Sequence, residues 1–270
     1  MAVRIVVDSA AGLPEEIAEQ LDITVAALHV MEGEGEGAST SGLSAIELAA
    51  VYARQLERGG DEGVVALHLS KNLSSTWSAA VSASAVFPGT VRVVDTDTAG
   101  MALGAAAMAA GSLAREGASL DECEKLAQLT LARSETWLYL HQLDGLRKSG
   151  RLSTGTAVLS AALLATKPIL RLHEGKLELA GKTRTQTKAL SKLTELVLER
   201  AEGKPVFAAI QHADAPDVAE ALESTLREVL PEGSKLMVEP LVDVLAVHTG
   251  PGAVGLSVVF SSEVVDNVDA

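Results

Sequence analysis

Aromatic residues are scarce in this chain. Phe, Trp and Tyr make up 3% of its 270 residues, so the interior must be built from Ala, Val and Leu, and any pocket will be aliphatic. Surfaces that stack nucleic-acid bases rely on rings. A formal net charge of -14 would also repel a polyanion. No nucleic-acid partner is expected. Cysteine occurs once, at Cys123, which excludes an internal disulfide and fits a reducing, cytoplasmic compartment. The acids around that thiol disfavour a reactive thiolate.

Long apolar runs are missing as well. Residues 98–114 and 152–166 carry no charge, but both are rich in small residues. A spanning helix needs about 20 strongly apolar residues. Each run reads as a small-residue helix packed inside the protein. No basic-then-apolar leader precedes the first predicted strand. The sequence has no Walker A loop and no GxSxG elbow. Its histidines, at 29, 68, 141, 173, 212 and 248, show no metal-ligand spacing, so neither a metal nor a resident cofactor is expected. Gly250-Pro-Gly-Ala-Val-Gly255 is literally GxGxxG, but only fifteen residues follow it and they open with another apolar run. A dinucleotide fold needs a helix and a further strand there. The better reading is a tight turn that pins His248 at a strand end.

What is present is alternation. Strands are predicted near 3–7, 23–30, 64–69, 91–94 and 136–140. Helices are predicted from Pro14, over 44–58, 73–86, 98–115 and 120–132. Strand-helix alternation indicates a parallel sheet covered on both faces, with ligands at the carboxyl ends of its strands. Asp8, Ser70, Asp95 and His248 are assigned to such ends. Beyond residue 150 the pattern changes to a hairpin with a Glu174-Gly175 turn, helices at 185–202 and 215–230, and strands at 206–211, 236–239, 242–248 and 256–260. The fold class is α/β with two lobes: a mainly parallel N-terminal lobe over 1–150 with helices on both faces, and a smaller mixed-sheet lobe over 151–270.

Residues 32–37 alternate Glu and Gly, a solvated loop whose acids would repel phosphate. From Arg147 to Lys192, ten Lys or Arg face two acids, a basic window in an acidic chain. It is either a solvated face or a docking surface for an acidic partner, a phosphate or an anionic membrane. Two hydroxyl clusters precede predicted helices: Ser39-Thr40-Ser41-Gly42-Leu43-Ser44, and Ser70 with Ser74-Ser75-Thr76. Each can cap its helix, or bind an anion with hydroxyls and free helix-end amides.

Asp8-Ser9 with Leu13-Pro14, Thr40-Ser41 with Ser44, and Leu73-Ser-Ser-Thr-Trp-Ser-Ala79 form a series. It continues through Val94-Asp-Thr96, Leu146-Arg-Lys-Ser-Gly-Arg-Leu-Ser153, Lys167-Pro-Ile-Leu170 and His248-Thr-Gly-Pro-Gly252. Taken in order, these pieces resemble the DegV family of bacterial fatty-acid-binding proteins, the acyl-presenting subunits of fatty acid kinase. The resemblance implies a tunnel between the lobes holding one long-chain fatty acid. Its carboxylate would be bound by Thr40, Ser74 and His248, with Ser41 and Ser75 adjacent. A partner kinase would then use ATP to make an acyl phosphate for phospholipid synthesis, the chain itself having no independent turnover. The basic window would meet the kinase or, transiently, a membrane surface, with Arg171 a candidate contact. Three features depart from the family pattern. Gly42-Leu43 stands where Gln-Pro is frequent, Ser75 replaces a usual Gly, and the Glu/Gly loop is short. The alternative from the residues alone is a small-molecule hydrolase or transferase, with Ser74 as nucleophile, His248 as base, and Asp8 or Asp95 orienting that base.

Overall fold

The computed structural model describes residues 2–31, 38–141, 144–152 and 166–261. The Glu/Gly run and most of the uncharged run after residue 152 lie outside them.

Four strands form a parallel sheet in the order β2 (Ile23–Ala26), β1 (Arg4–Asp8), β5 (Val64–His68), β6 (Val91–Asp95). Side chains alternate across a pleated strand, and here the alternation fills two cores. Ile5, Val7, Val65 and Leu67 pack on one side with α4 (Met101–Arg115) and α5 (Leu120–Ala132). Val6, Val64 and Ala66 pack on the other with α2 (Ala45–Gly59) and α3 (Thr76–Ser84). Both faces are covered, as expected for continuous apolar strands. Ala106, Ala107, Ala110 and Ala114 form the stripe that brings α4 close to the sheet. The small-residue run at 98–114 is therefore a packed helix, and no helix among the described residues is long and apolar enough to cross a membrane.

The second sheet has six strands in the order β11 (Lys235–Pro240), β10 (Val206–His212), β12 (Val254–Phe260), β7 (Ser134–Tyr139), β8 (Lys167–His173), β9 (Lys176–Thr183). Only β10 and β11 run parallel; every other pairing is antiparallel. Trp137, Tyr139, Ile169, Ile210 and Leu256 point to one face, packed with α7 (Gln186–Ala201) and α8 (Pro216–Val229). Leu138, Leu170 and Leu177 point to the opposite face, which turns toward the first lobe.

Several local readings change. β7 belongs to the second sheet although it precedes the lobe boundary near 150 expected from the sequence. The segment 144–149 is a short helix, α6, within the second lobe's chain path. The run predicted as one strand at 23–30 is two: β2 in the parallel sheet, and β3 (His29–Met31) in a small hairpin with β4 (Ser39–Ser41).

The strand predicted at 242–248 is a helix, α9 (Asp243–Thr249). A short apolar run fits either state by periodicity alone. Asp243 in the first turn and the helix formers Leu245 and Ala246 favour the helix. His248 therefore stands near a helix end, not a strand end. Gly250 caps that helix with φ +74°, and Gly252, at φ +83°, lies so close to His141 that a Cβ would sit 2.8 Å from the His141 Cβ. The Gly-Pro-Gly sequence is a turn, and β12 after it pairs antiparallel with both β10 and β7.

Candidate ligand-binding site

A cavity of about 310 Å³ opens between the two lobes, within the range usual for small-ligand sites. Its walls are largely aliphatic: Leu69 and Leu73 from the first lobe, Leu138, Leu172 and Leu177 from the second sheet, and Leu245 from α9. Val244, Leu245, His248 and Thr249 all line it. Their i, i+1, i+4, i+5 spacing is one helical face, which explains how a helix, and not a strand, delivers the imidazole.

Thr40, Ser41, Ser74, Ser75 and His248 all line this one cavity. The β3–β4 hairpin brings Thr40 in, with Thr40 paired to Val30. His248 Nε2 lies 2.8 Å from Thr40 Oγ1. The two hydroxyl clusters meet at Gly42, where a Cβ would fall 2.7 Å from Thr76 Oγ1, 3.0 Å from Ser75 Oγ and 3.2 Å from Ser74 Oγ. Thr76 Oγ1 also accepts from the Leu43 amide at 3.3 Å, and Ser74 Oγ lies 2.9 Å from Thr76 Oγ1.

The capping question divides between residues. Ser44 caps α2 through a reciprocal box with Glu47, so Thr40 and Ser41 are not needed for that task. Ser75 occupies the N-cap position of α3 but makes no side-chain capping bond, while Ser74 Oγ accepts from the Thr76 amide at 3.2 Å.

Burial first, then the positive charge of Arg151, pushes the His248 imidazole below its ordinary pKa. The site therefore presents a neutral ring at pH 7. Arg151 is the only formally charged side chain among the described residues that line the cavity. Sequence reading placed it in the basic window without singling it out. Arg171, which was singled out as a partner contact, does not line the cavity. It alternates along β8 with Leu172, which lines the cavity, so it faces the other side of the sheet, and its Nε lies 3.3 Å from Glu135.

The two acids considered as orienting groups for His248 serve other partners. Asp8 is fully buried and accepts from the Ala10 amide at 3.0 Å and the Leu69 amide at 2.8 Å, and lies 3.1 Å from His68 Nδ1. His68 Nε2 in turn lies 2.8 Å from the Tyr52 hydroxyl. Burial, then the charge of Asp8, raises the Tyr52 phenol. Ala10 and Leu69 both line the cavity, so this buried chain fixes part of its wall. Asp95 pairs with Lys71 at 2.7 Å. No hydrogen bond joins Ser74 to His248 among the described residues, and an activated serine needs its base within such reach.

A clasp joins the lobes beside the cavity. Ser70 Oγ donates to the Gly175 carbonyl at 3.1 Å, and Asn72 Nδ2 donates to the Glu174 carbonyl at 3.1 Å. Gly175, at the β8–β9 turn, has φ +72°, and a Cβ there would come within 2.2 Å of Ser70 Oγ. Burial, then the nearby Asp95 charge, raises the Asp97 carboxyl at this junction.

Residues 27–261 match the family described as "Uncharacterised protein, DegV family". The chain belongs to the DegV family. It is 60% identical over 264 residues to a DegV domain-containing protein of Corynebacterium glutamicum, covering 97% of this chain and 96% of that one. The crystal structure of a DegV family protein from the same species, also 60% identical, superposes with a TM-score of 0.94 over 97% of this chain and 99% of that chain. A Thermus thermophilus DegV family protein, described for its fatty acid binding, is 30% identical with a TM-score of 0.89, covering 97% and 100% of the two chains. Bacillus subtilis DegV, described as a fatty acid binding protein, is 27% identical with a TM-score of 0.83 over 97% and 100%.

Proposed function

We propose that this DegV family chain binds one long-chain fatty acid in the interlobe cavity and presents its carboxylate to an ATP-dependent kinase partner in the cytoplasm. The observation that carries the reading is the pairing of an aliphatic cavity with hydroxyl and neutral imidazole groups at Thr40, Ser74 and His248. Burying a methylene gains about 0.8 kcal/mol, so a long acyl chain gains on the order of 10 kcal/mol from such walls. The head group then needs orientation more than affinity. Thr40 and Ser74 donate to the carboxylate, and His248 Nε2–H donates to Thr40 and orders it. Neutral donors leave the carboxylate oxygen its charge, so it can attack the γ-phosphorus of ATP as ADP departs. The product, an acyl phosphate, would feed phospholipid synthesis. Arg151 adds long-range attraction for the anion at the same wall.

The test is native mass spectrometry of the chain purified from a bacterial host. One co-purifying fatty acid per chain supports the reading, as does acyl phosphate formed only when a fatty acid kinase subunit and ATP are added. Protein that arrives empty and takes up no added fatty acid would end it.

A further inference from the structure

The cavity wall is not uniformly apolar. Ser257 on β12 and Thr136 on β7 are directly registered, and both line the cavity. Their hydroxyls lie 3.1 Å apart. Thr136 Oγ1 continues to Thr98 Oγ1 at 3.5 Å, and Thr98 Oγ1 reaches the Ala99 carbonyl at 3.4 Å. The row extends from Thr136 to Leu172 and then Leu177, so a short ledge of hydroxyls interrupts an otherwise aliphatic surface. Gln211, the other polar side chain on this wall, is committed: its Nε2 donates to the Gly12 carbonyl at 3.3 Å and its Oε1 accepts from the Met101 amide at 2.9 Å.

A hydroxyl carries one proton and two lone pairs. In the order Ser257 to Thr136 to Thr98 to the Ala99 carbonyl, all three protons are used and the Ser257 oxygen can still accept from a ligand. In the reverse order Ser257 donates into the cavity. The ledge can therefore meet either a hydroxyl or a carbonyl, and it satisfies itself when neither is present. Ser257 stands three residues along β12 from Val254, where the turn from the His248 helix ends, roughly 10 Å into the sheet.

We propose that this ledge is a specificity element for acyl chains oxygenated near their middle, that is, hydroxy or oxo fatty acids. The inference rests on the fatty-acid reading above and names a substrate class within it. An apolar wall would reject a mid-chain hydroxyl by leaving it unpaired. This wall accepts it and still tolerates a plain alkyl chain.

The experiment compares stearic acid with 10-hydroxystearic and 10-oxostearic acids, by displacement of a fluorescent fatty acid from the full chain. The wild type should bind the oxygenated acids as tightly as stearic acid or more tightly. Ser257→Ala should lower the oxygenated-to-plain affinity ratio about tenfold, one hydrogen bond's worth. Thr136→Val, a second variant that breaks the same chain of hydroxyls, should lower it in the same direction. Because the readout is a ratio within one protein, a general loss of stability does not imitate it. A wild-type preference for stearic acid of about thirtyfold, the penalty of an unpaired hydroxyl, would overturn the proposal while leaving fatty-acid binding intact. So would a ratio that neither variant changes. Failure of all three acids to bind would overturn both readings.

Discussion

His248 Nε2 and Thr40 Oγ1 lie 2.8 Å apart across 208 residues of sequence. The bond ties the first lobe's hairpin to the helix that precedes the second lobe's central strand. It makes the imidazole a positioning group for the threonine.

Thr40→Val and His248→Ala should each weaken fatty-acid binding about tenfold or more, since a hydrogen bond to a charged group contributes about 1.5–3 kcal/mol. Because the ring acts through the hydroxyl, the double variant should lose less than the two single losses combined. Isothermal titration of the four proteins measures the cycle. Full additivity would mean that the two side chains hold the ligand independently.

Gly42→Ala should cost binding without touching any donor. The new methyl would fall 2.7 Å from Thr76 Oγ1 and 3.0 Å from Ser75 Oγ, and overpacking of this kind costs about 1–3 kcal/mol. The hydroxyls must move apart to admit it. Affinity should fall together with the thermal midpoint. An unchanged affinity would show that the cluster's spacing does not matter to the ligand.

Stability should fall as the ligand-free protein is acidified. The His248 pKa in the folded chain lies below its ordinary value of 6.5, so the unfolded state binds the proton more readily. The contribution of the neutral ring is complete above pH 6.5 and is lost as pH drops from there through the folded-state value. Urea midpoints measured between pH 8 and pH 5 should decline through that window, and His248→Gln should flatten the part of the decline due to this ring. An identical slope in the variant would place the titrating group elsewhere.

Gly175→Ala should loosen the interlobe clasp. The residue sits at φ +72°, and its Cβ would lie 2.2 Å from the Ser70 hydroxyl, so backbone strain and collision act together. Release of a bound fluorescent fatty acid should quicken. Stopped-flow dissociation measures this, and an unchanged rate would show that the ligand leaves by a path that does not involve the clasp.

Much of this was legible in the residues. Alternating apolar segments specify the parallel sheet because strands such as Val64–His68 are buried on both faces. Thr40, Ser41, Ser74, Ser75 and His248 could be named from their motifs, and they line one cavity. Other features needed the fold. The run at 242–248 is too short for its period to separate helix from strand. Arg171 was named as a partner contact, and its alternation with the cavity-lining Leu172 turns it to the other face of the sheet. Parity would also have flagged Thr136 and Leu138 as facing opposite to Trp137, but only once the buried face was known. Arg151 shares the cavity lining with residues from far apart in the sequence, and no local pattern announces that.

The position of β12 bears on how the chain acquires its shape during synthesis. This strand lies between β10 and β7 in the middle of the second sheet, yet it spans residues 254–260. While the polypeptide is still emerging from the ribosome, the first sheet has all its strands by residue 95, whereas β7 and β10 wait for the segment that joins them. A nascent chain can thus hold half its architecture without a finished container, whose wall is complete only once residues 254–260 are in place.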